Sequence, residues 1–216
     1  MFADISPELF LNAYYQGIFP MAEDAQDPHY NFYSPEKRAL LPILDLHISK
    51  SLMKRVKQNP FEIKIDTDFK QVISACAESF KGRESTWINE PIKQTFLQLH
   101  ELGYAHSVEC WQEDKLVGGL YGLAIGQVFC GESMFSRETD ASKIALVHLC
   151  ARLHSGGFKI LDSQFINDHL KQFGVYGIPQ QEYIKMIQDK MNQKADFNLV
   201  DKNTDEILQH YLFQRE

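Results

Sequence analysis

The chain has 216 residues, of which 44% are hydrophobic and 24% charged, and its formal net charge is −7. This length and apolar content suit a sizeable buried core and exclude a disordered chain, and no apolar run approaches the roughly 18 residues of a membrane span. Because the chain starts without the pattern of a secretory signal and its four cysteines form no CxxC pair, the sequence predicts a cytoplasmic protein with no membrane association and with reduced, mostly buried thiols.

The first 36 residues contain six acidic residues and no Lys or Arg. Within them, SPELFLNAYYQGIFP predicts a helix, because Ser6 stands in the cap position, Pro7 and Glu8 fill the first turn, and apolar residues follow at helical spacing. The stretch from Pro20 to Pro35 is rich in Pro, Asp and Tyr and predicts an irregular linker or lid.

Residues 37–57 reverse this balance, with six basic residues against the single acidic residue Asp45. Several fall on a predicted helix that Ser49 can cap and Pro60 interrupts. At about 100° per residue, its basic and apolar residues separate onto opposite sides. The basic face comprises Lys50, Lys54 and Lys57, with Arg55 on its flank, and the apolar side comprises Leu52, Met53 and Val56. Such a face is usually only a solvated surface, and the functional alternative is a footprint for a phosphate backbone.

Downstream, the hydrophobic pattern predicts one strand, two helices and then three consecutive strands. In order, these are FEIKID, TDFKQVISACAESF, EPIKQTFLQLHELG, AHSVECWQ, KLVGGLYGLAI and QVFCGESMF. The connections between the last three are short enough for antiparallel hairpins. A long helix follows, with Asp140 as its cap and Gly156 as its stop, and then a short strand, the helical NDHLKQFG and a helix from about Pro179 to Met191. This order predicts an α+β fold with a mostly antiparallel sheet flanked by helices.

The short strand belongs to LDSQFINDH, residues 161–169. Asp162 and Gln164 stand two residues apart, so on a regular strand both side chains point to the same face. The pair is either the solvated face of a half-buried strand or a reactive constellation.

Searches for common catalytic motifs are mostly negative. GESMF resembles a nucleophile elbow, but Phe135 replaces the second glycine, which argues against a Ser133 hydrolase. There is no P-loop or dinucleotide-binding glycine motif, and the histidine spacing predicts no metal site. In place of the glycine-rich loop that holds coenzyme A in acetyltransferases of the GNAT fold stands the bulky, polar SRETDASK.

Five segments together resemble the leucyl/phenylalanyl-tRNA–protein transferase family. They are AYYQGIFP, STWINEPI, LHELGYAHSVECWQEDKLVGGLYG, FCGESMFSRETDASKIAL and LDSQFINDH. The resemblance runs from about Asp4 to Asn198. It implies a small N-terminal domain with a linker over residues 1–36 and a GNAT-like domain over 37–199, and it leaves residues 200–216 as a tail or an extra helix.

The resemblance also implies an activity. Members transfer Leu or Phe, and less well Met, from aminoacyl-tRNA to the α-amine of proteins beginning with Arg or Lys, which marks those proteins for N-degron degradation. The implied partners are aminoacyl-tRNA and such proteins, with no cofactor, and we expect a monomer.

Roles for individual residues follow from the same resemblance. Gln164 would contact the attacking α-amine, and Asp162 would support it and relay or accept charge. Glu132 would bind the amino group of the aminoacyl moiety, and Trp87 would stack on the terminal adenine. The substrate pocket would comprise Leu120, Phe129, Gly131, Met134 and Leu161. The basic helix would hold the acceptor-stem backbone. Taken singly, Glu132 is also typical of a strand end and Trp87 of a core anchor. Each pocket residue by itself is more typical of a core than of a pocket, and only the shared motif favours the pocket.

Two positions depart from the family pattern. Met21 stands where many members carry an aromatic residue beside the adenosine, and Phe32-Tyr33 replaces a Trp-Trp pair. Donor stacking on this side is therefore expected either to be weaker or to come from Tyr30 or Phe32. Three alternatives stay open at this point: a GNAT-type N-acetyltransferase, an aminoacyl-tRNA-dependent transferase acting on peptidoglycan precursors, for which this chain is short, and a non-catalytic RNA-binding module.

Overall fold

A computed structural model describes residues 6–78 and 85–215, and these form eight helices and nine strands. The strands are β1 (Phe19–Met21), β2 (Asn31–Tyr33), β3 (Lys37–Leu41), β4 (Glu62–Ile65), β5 (Ala105–Gln112), β6 (Lys115–Ile125), β7 (Val128–Ser136), β8 (Ile160–Gln164) and β9 (Tyr176–Pro179). The helices are α1 (Pro7–Tyr15), α2 (Lys50–Gln58), α3 (Phe69–Ala77), α4 (Glu90–Glu101), α5 (Ala141–Ser155), α6 (Asp168–Lys171), α7 (Gln180–Lys190) and α8 (Thr204–Phe213).

The main sheet has seven strands in the order β4-β5-β6-β7-β8-β3-β9. Every neighbouring pair is antiparallel except β7 and β8, which run parallel. The predicted α+β class and the hairpins joining β5, β6 and β7 are therefore confirmed. The β6–β7 turn requires glycine at Gly126, because its φ is +54° and a Cβ atom there would lie 2.3 Å from the carbonyl oxygen of Met191.

Strands β7 and β8 separate partway along their length, near the middle of the sheet. Hydrogen bonding between β7 and β8 covers only Val128–Cys130 opposite Ile160–Asp162. Beyond that point β7 continues to Ser136 in register with β6 alone. A cleft therefore forms between the diverging ends of two central strands, a position where open α/β sheets commonly bind ligands.

Two hydrophobic clusters cover the two faces of the sheet. One lies under α2, α5 and α8 and the other under α1, α3, α4 and α7. Along β6, Val117 and Leu120 belong to the first cluster, and Leu116 and Tyr121 belong to the second. The alternation of side chains is offset after Leu116, because Val117 is an extra residue of β6 at the irregularity opposite Cys110 and Trp111. Helix α5 is buried nearly all round because it packs on the sheet, α2 and α8 at once.

The N-terminal segment packs directly on this core. Phe10 and Tyr14 of α1 and Phe19 of β1 are at most 2% exposed and belong to the second cluster. The segment therefore shares a hydrophobic core with α3 and α4. The boundary between an N-terminal domain and the main domain stays a prediction.

Most predicted elements are confirmed, including the cap that Ser49 provides by accepting a hydrogen bond from the Leu52 amide. Ser6 and Asp140 occupy the predicted cap positions, but neither side chain accepts a bond from its helix. The Asp140 carboxylate instead pairs with Lys143 Nζ at 2.8 Å. Helix α3 ends at Ala77, and the last residues of its predicted span, 79–80, lie outside the described part of the chain.

Three predictions need correction or completion. The stretch from Pro20 to Pro35 contains the antiparallel hairpin β1–β2 and is not irregular throughout. Strands β3 and β9, absent from the sequence prediction, pair with each other at the end of the sheet. Residues 204–213 form helix α8, so the segment after residue 200 is packed structure. All four cysteines are buried as predicted, and within the described ranges no helix is long and apolar enough to cross a membrane.

We predict that His148, which is 3% exposed on α5, makes the folded protein less stable at acidic pH. Burial, helped by the charge of Arg152, lowers its pKa from 6.5 to about 4. The unfolded chain therefore binds a proton between these values that the folded chain does not, and stability falls as pH drops through that window. When the pH is lowered from 7 to 4.5, the unfolding free energy of His148→Gln should fall by about 2 kcal/mol less than that of wild type. Urea denaturation at the two pH values measures both changes.

His210→Gln is the matched control, because His210 lies on exposed surface of α8. Its acid sensitivity should equal that of wild type. Equal acid sensitivity in wild type and His148→Gln would contradict the prediction.

Candidate active site

A cavity of about 630 Å³ occupies the cleft where β7 and β8 diverge. Its walls come from both strands, from β6 and α5, and from the segment before α4. The lining includes eight residues that the sequence analysis proposed for the site: Trp87, Leu120, Gly131, Glu132, Met134, Leu161, Asp162 and Gln164. The structure thus brings together residues that are up to 77 positions apart in the chain, from Trp87 to Gln164.

One end of the cavity is apolar. The predicted residues Leu120, Met134 and Leu161 meet four leucines that sequence reasoning missed, namely Leu41, Leu146, Leu149 and Leu170. Leu146 and Leu149 stand three residues apart on α5, so they present one face to the cavity. This spacing, on a helix that follows the GESMF motif, is the sequence pattern that points to Leu146 and Leu149 as cavity residues.

Phe129 does not join this group. It is fully buried, and its ring stacks on Phe197 with centroids 5.4 Å apart and an interplanar angle of 16°. It lies outside the cavity lining and packs against the aromatic part of the core, including Phe158. Its expected role in the substrate pocket therefore has no geometric support.

Glu132 enters the cavity from a β-bulge. Tyr121 faces Ser133 and Gly122 faces Gly131, so Glu132 is the extra residue of β7. Bulges re-aim a side chain in this way, and they are common beside active sites. Gly122 is required opposite the bulge, because a Cβ atom there would lie 2.4 Å from both the Cys130 carbonyl oxygen and the Phe129 ring.

The Glu132 carboxyl group sits among few donors. Tyr14 Oη donates to its Oε1 at 2.8 Å, and Gln164 Nε2 donates to the same atom at 3.4 Å. Burial raises the pKa of Glu132 to about 8, and the charge of Asp162 acts in the same direction. The group is therefore mostly protonated at neutral pH, and a cationic ligand would favour the carboxylate.

Asp162 and Gln164 are separated by a second bulge. Ala39 faces Gln164 and Leu40 faces Asp162, so Ser163 is the extra residue of β8. Gln164 has a φ of +58°, and its main-chain N–H donates to Asp162 Oδ1 at 2.9 Å. Simple strand alternation therefore does not explain their common orientation. The bulge and the left-handed residue place both residues at the cavity wall, with the Asp162 carboxylate buried behind it.

Asp162 forms a fully buried ion pair with Arg38 of β3, and both side chains are 0% exposed. Arg38 Nη2 lies 2.5 Å from Asp162 Oδ2, and the hydroxyl of Tyr183 donates to the same oxygen at 2.7 Å. The guanidinium lies between the rings of Phe19 and Tyr183, 4.5 Å from each centroid. The ion pair raises the pKa of Arg38 further above its usual range.

Sequence reasoning missed Arg38 and Tyr183. The sequence groups Arg38 with the basic residues of the following segment, although its position directly before the apolar residues 39–41 was a signal that it is buried. Tyr183 carries no local signal, because its partner Asp162 lies 21 positions away in the chain.

Trp87 lines the cavity and is half-buried, and its carbonyl oxygen accepts a hydrogen bond from the Ala22 amide at 3.2 Å. Tyr30 and Phe32 form an aromatic cluster with Phe10, with centroid distances of 5.5 to 6.2 Å, away from the cavity lining. Their expected contribution to donor stacking stays a prediction.

Helix α2 presents the predicted basic face. Its cationic side chains are exposed apart from Arg55, which is half-buried. The apolar side packs into the first cluster through Leu52 and Val56, which are at most 5% exposed. The geometry expected for a phosphate-binding helix is therefore present, and its role stays a prediction.

Comparison with known proteins identifies the family. The model of leucyl/phenylalanyl-tRNA protein transferases matches residues 40–188, and the model of their N-terminal domain matches residues 3–36. The leucyl/phenylalanyl-tRNA–protein transferase of Phenylobacterium zucineum (strain HLK1) is 50% identical over 195 residues, 90% of this chain and 88% of the relative. The chain belongs to the leucyl/phenylalanyl-tRNA protein transferase family. The transferase of Maricaulis maris (strain MCS10) is 48% identical over 191 residues, 88% of each chain.

In this transferase, the two matched segments meet at the cavity. Tyr14, which contacts Glu132, comes from the N-terminal segment, and every cavity-lining residue comes from the second. Arg38 lies between the matched segments, and helix α8 lies beyond them. The residues that hold the site together therefore include some outside the family models.

We predict that Glu132 destabilises the folded protein as pH rises. Its folded pKa of about 8 lies above the ordinary value of 4.5, so the folded state binds more protons in that window and loses stability as pH increases through it. At pH 8.5, Glu132→Gln should exceed wild type by roughly 2–4 kcal/mol in unfolding free energy, with little difference at pH 4.5.

Urea denaturation at the two pH values measures this difference. Glu182→Gln, a change at an exposed position of α7, is the control and should follow wild type at both. A Glu132→Gln variant with the pH dependence of wild type would refute the assignment.

Proposed function

We propose that this protein transfers Leu or Phe, and less efficiently Met, from aminoacyl-tRNA to the α-amine of proteins that begin with Arg or Lys. As a member of its family it is an aminoacyl-tRNA–protein transferase, an acyltransferase. The observation that carries the proposal is the single cavity that joins a leucine-lined end to Glu132 and Gln164. These are the groups needed for an apolar aminoacyl side chain and for two amines.

The reaction needs little chemical activation, because an aminoacyl ester is already reactive. The acceptor nitrogen attacks the ester carbonyl carbon, a C–N bond forms, and the C–O bond to the ribose breaks. The proton lost by the amine ends on the departing ribose oxygen. Holding amine and carbonyl in contact can supply about 7–11 kcal/mol of the barrier reduction. The role proposed for Gln164 is therefore to orient the nucleophile.

The donor side chain would enter the apolar end, among Leu120, Met134 and Leu161. Leucine walls distinguish Leu, Phe and Met weakly, since one methylene changes binding by about 1–3 kcal/mol. Glu132 would bind the donor's amino group, because an ammonium ion is the ligand that favours its carboxylate form. Tyr14 would then hold Oε1 in place through its 2.8 Å hydrogen bond.

The RNA part of the donor would extend from the cavity along two features. Trp87, half-buried at the wall, would stack on the terminal adenine, as aromatic side chains do with unpaired bases. Helix α2 would hold the acceptor-stem backbone through Lys50, Lys54, Arg55 and Lys57, with little base specificity. The parallel pair β7–β8, which diverges at the cavity, supports the GNAT-like description of the main domain.

The family resemblance supports the remaining parts of the proposal. The acceptors would be proteins with N-terminal Arg or Lys, and the product would enter N-degron degradation. The enzyme would act in the cytoplasm as a monomer. Both substrates, charged tRNA and free protein N-termini, occur there.

A transfer assay tests reaction and acceptor together. With radiolabelled leucyl-tRNA and peptides that differ only in their first residue, label should pass to peptides beginning with Arg or Lys and not to one beginning with Ala. Acid-precipitable counts measure the product. Absence of transfer to all three peptides would refute the proposal, and equal transfer to all three would refute its acceptor class.

A charge variant tests the RNA footprint. The triple substitution Lys50→Ala, Lys54→Ala and Lys57→Ala should raise the KM for leucyl-tRNA at least about tenfold. It should also reduce the slope of log affinity against log salt concentration by up to about 3, because each lost phosphate contact reduces that slope by about 1. Activity with leucyl-adenosine, which lacks the RNA stem, should stay within about twofold of wild type.

The matched control replaces Lys70, Lys115 and Lys185 by Ala. These three residues are also exposed but lie on α3, β6 and α7. The control changes net charge equally and should leave the KM unchanged. Equal effects of the two triple variants would show that general charge, and not helix α2, governs RNA binding.

A further inference from the structure

The Asp162 carboxylate is completely surrounded by donors. Oδ1 accepts from Arg38 Nε at 2.8 Å and from the Gln164 main-chain N–H at 2.9 Å. Oδ2 accepts from Arg38 Nη2 at 2.5 Å and from the Tyr183 hydroxyl at 2.7 Å. The carboxylate is 0% exposed, and the bonds from these four donor groups occupy the acceptor directions of its two oxygens.

The four donor groups come from three parts of the chain. Arg38 belongs to β3, Tyr183 to α7, and Gln164 to the end of β8 itself. Arg38 is held in turn by Phe19 and Tyr183, whose rings sandwich its guanidinium, and by the Gly17 carbonyl oxygen, which accepts from Nη1 at 3.1 Å. The guanidinium that pairs with Asp162 is thus itself fixed by packing and by a hydrogen bond.

The Asp162 carboxylate fixes the conformation of one residue that lines the cavity, Gln164. It fixes the main-chain N–H of Gln164, whose φ of +58° is unusual for a residue other than glycine. A left-handed non-glycine residue is strained and persists only where its surroundings impose it. Here the imposed conformation aims the Gln164 side chain at Glu132, 3.4 Å from Oε1.

We propose that Arg38 and Tyr183 are positioning residues of the transfer centre: they fix the Asp162 carboxylate, which fixes the backbone of Gln164 and so aims its amide at the attacking amine. In this arrangement Asp162 is an anchor and takes no proton from the substrate. The inference rests on the proposed function, since it assigns a task to residues behind Gln164.

The test uses Tyr183→Phe, which removes one hydroxyl and leaves the ring over Arg38. In single-turnover transfer from saturating leucyl-tRNA, its rate should fall by about 10- to 100-fold, as for a misplaced reacting group. Its affinity for leucyl-tRNA should stay within about twofold of wild type, because helix α2 and the apolar end are untouched. Arg38→Lys should show the same split, because an ammonium group cannot reproduce the bidentate guanidinium contact.

A double-mutant cycle separates positioning from general stability. If Tyr183 acts through Gln164, adding Tyr183→Phe to Gln164→Ala should slow transfer by no more than about twofold further. Tyr211→Phe is the matched control, because Tyr211 is also fully buried and donates its hydroxyl to a carbonyl oxygen, that of Ile43 at 2.6 Å, outside the cavity lining. It should match Tyr183→Phe in lost thermal stability but keep the wild-type rate.

Two outcomes would overturn the positioning role alone: a Tyr183→Phe enzyme with the wild-type rate, or an equal loss of rate in the wild-type and Gln164→Ala backgrounds. A Tyr211→Phe enzyme as slow as Tyr183→Phe would also overturn it, because stability would then explain both. Failure of the proposed function is distinguishable, since wild type would transfer no leucine or Gln164→Ala would transfer it normally.

Discussion

The site depends on a charge pair that is fully withdrawn from water. Removing Arg38 and Asp162 from solvent costs several kcal/mol per ion, and their attraction offsets this only with good geometry and further hydrogen bonds. Both conditions are met, because the guanidinium contacts both carboxylate oxygens, Tyr183 supplies another donor and two aromatic rings cover the guanidinium. The pair joins β3 to β8 and, through Gly17 and Tyr183, connects them to the segment after α1 and to α7.

Around this anchor, the sheet places reactive groups by local irregularity. Both side chains that face the proposed amines, Glu132 and Gln164, stand at bulges, where the regular pairing of β7 with β6 and of β8 with β3 is interrupted. A regular strand would alternate its side chains between the two covered faces, whereas a bulge can direct one toward the gap between strands. The raised pKa of Glu132 indicates the cost of this placement, and such local instability is common where a site awaits a charged ligand.

Helix α5 connects the two surfaces that the proposed reaction requires. On one side it contributes Leu146 and Leu149 to the cavity, and on another it packs against the basic helix α2. Helix α8 covers it further and supports the loop before α2, where Tyr211 donates to Ile43 and Arg215 donates to Leu44 and Leu46. A buried helix packed on several sides deforms little. The cavity and the basic face are therefore held at a constant separation, which suits the proposed binding of the aminoacyl group in the cavity and of the adjoining acceptor stem on α2.

The sequence by itself determined what depends on near neighbours in the chain. The hairpins of β5, β6 and β7 follow from alternation and short turns, helix α2 follows from its two faces and the Ser49 cap, and the quoted motifs identified the family and eight of the residues that line the cavity. Only the tertiary structure decided what depends on pairing between distant segments. Strand β3 has little periodicity of its own and exists through its ladders with β8 and β9. A bulge is a property of two strands in register, so neither Glu132 nor Gln164 could be oriented from one strand. The choice between core and pocket for Phe129 depends on its stacking with Phe197, which lies far along the chain. Arg38 and Asp162 are 124 positions apart, and no local pattern encodes a contact at that separation.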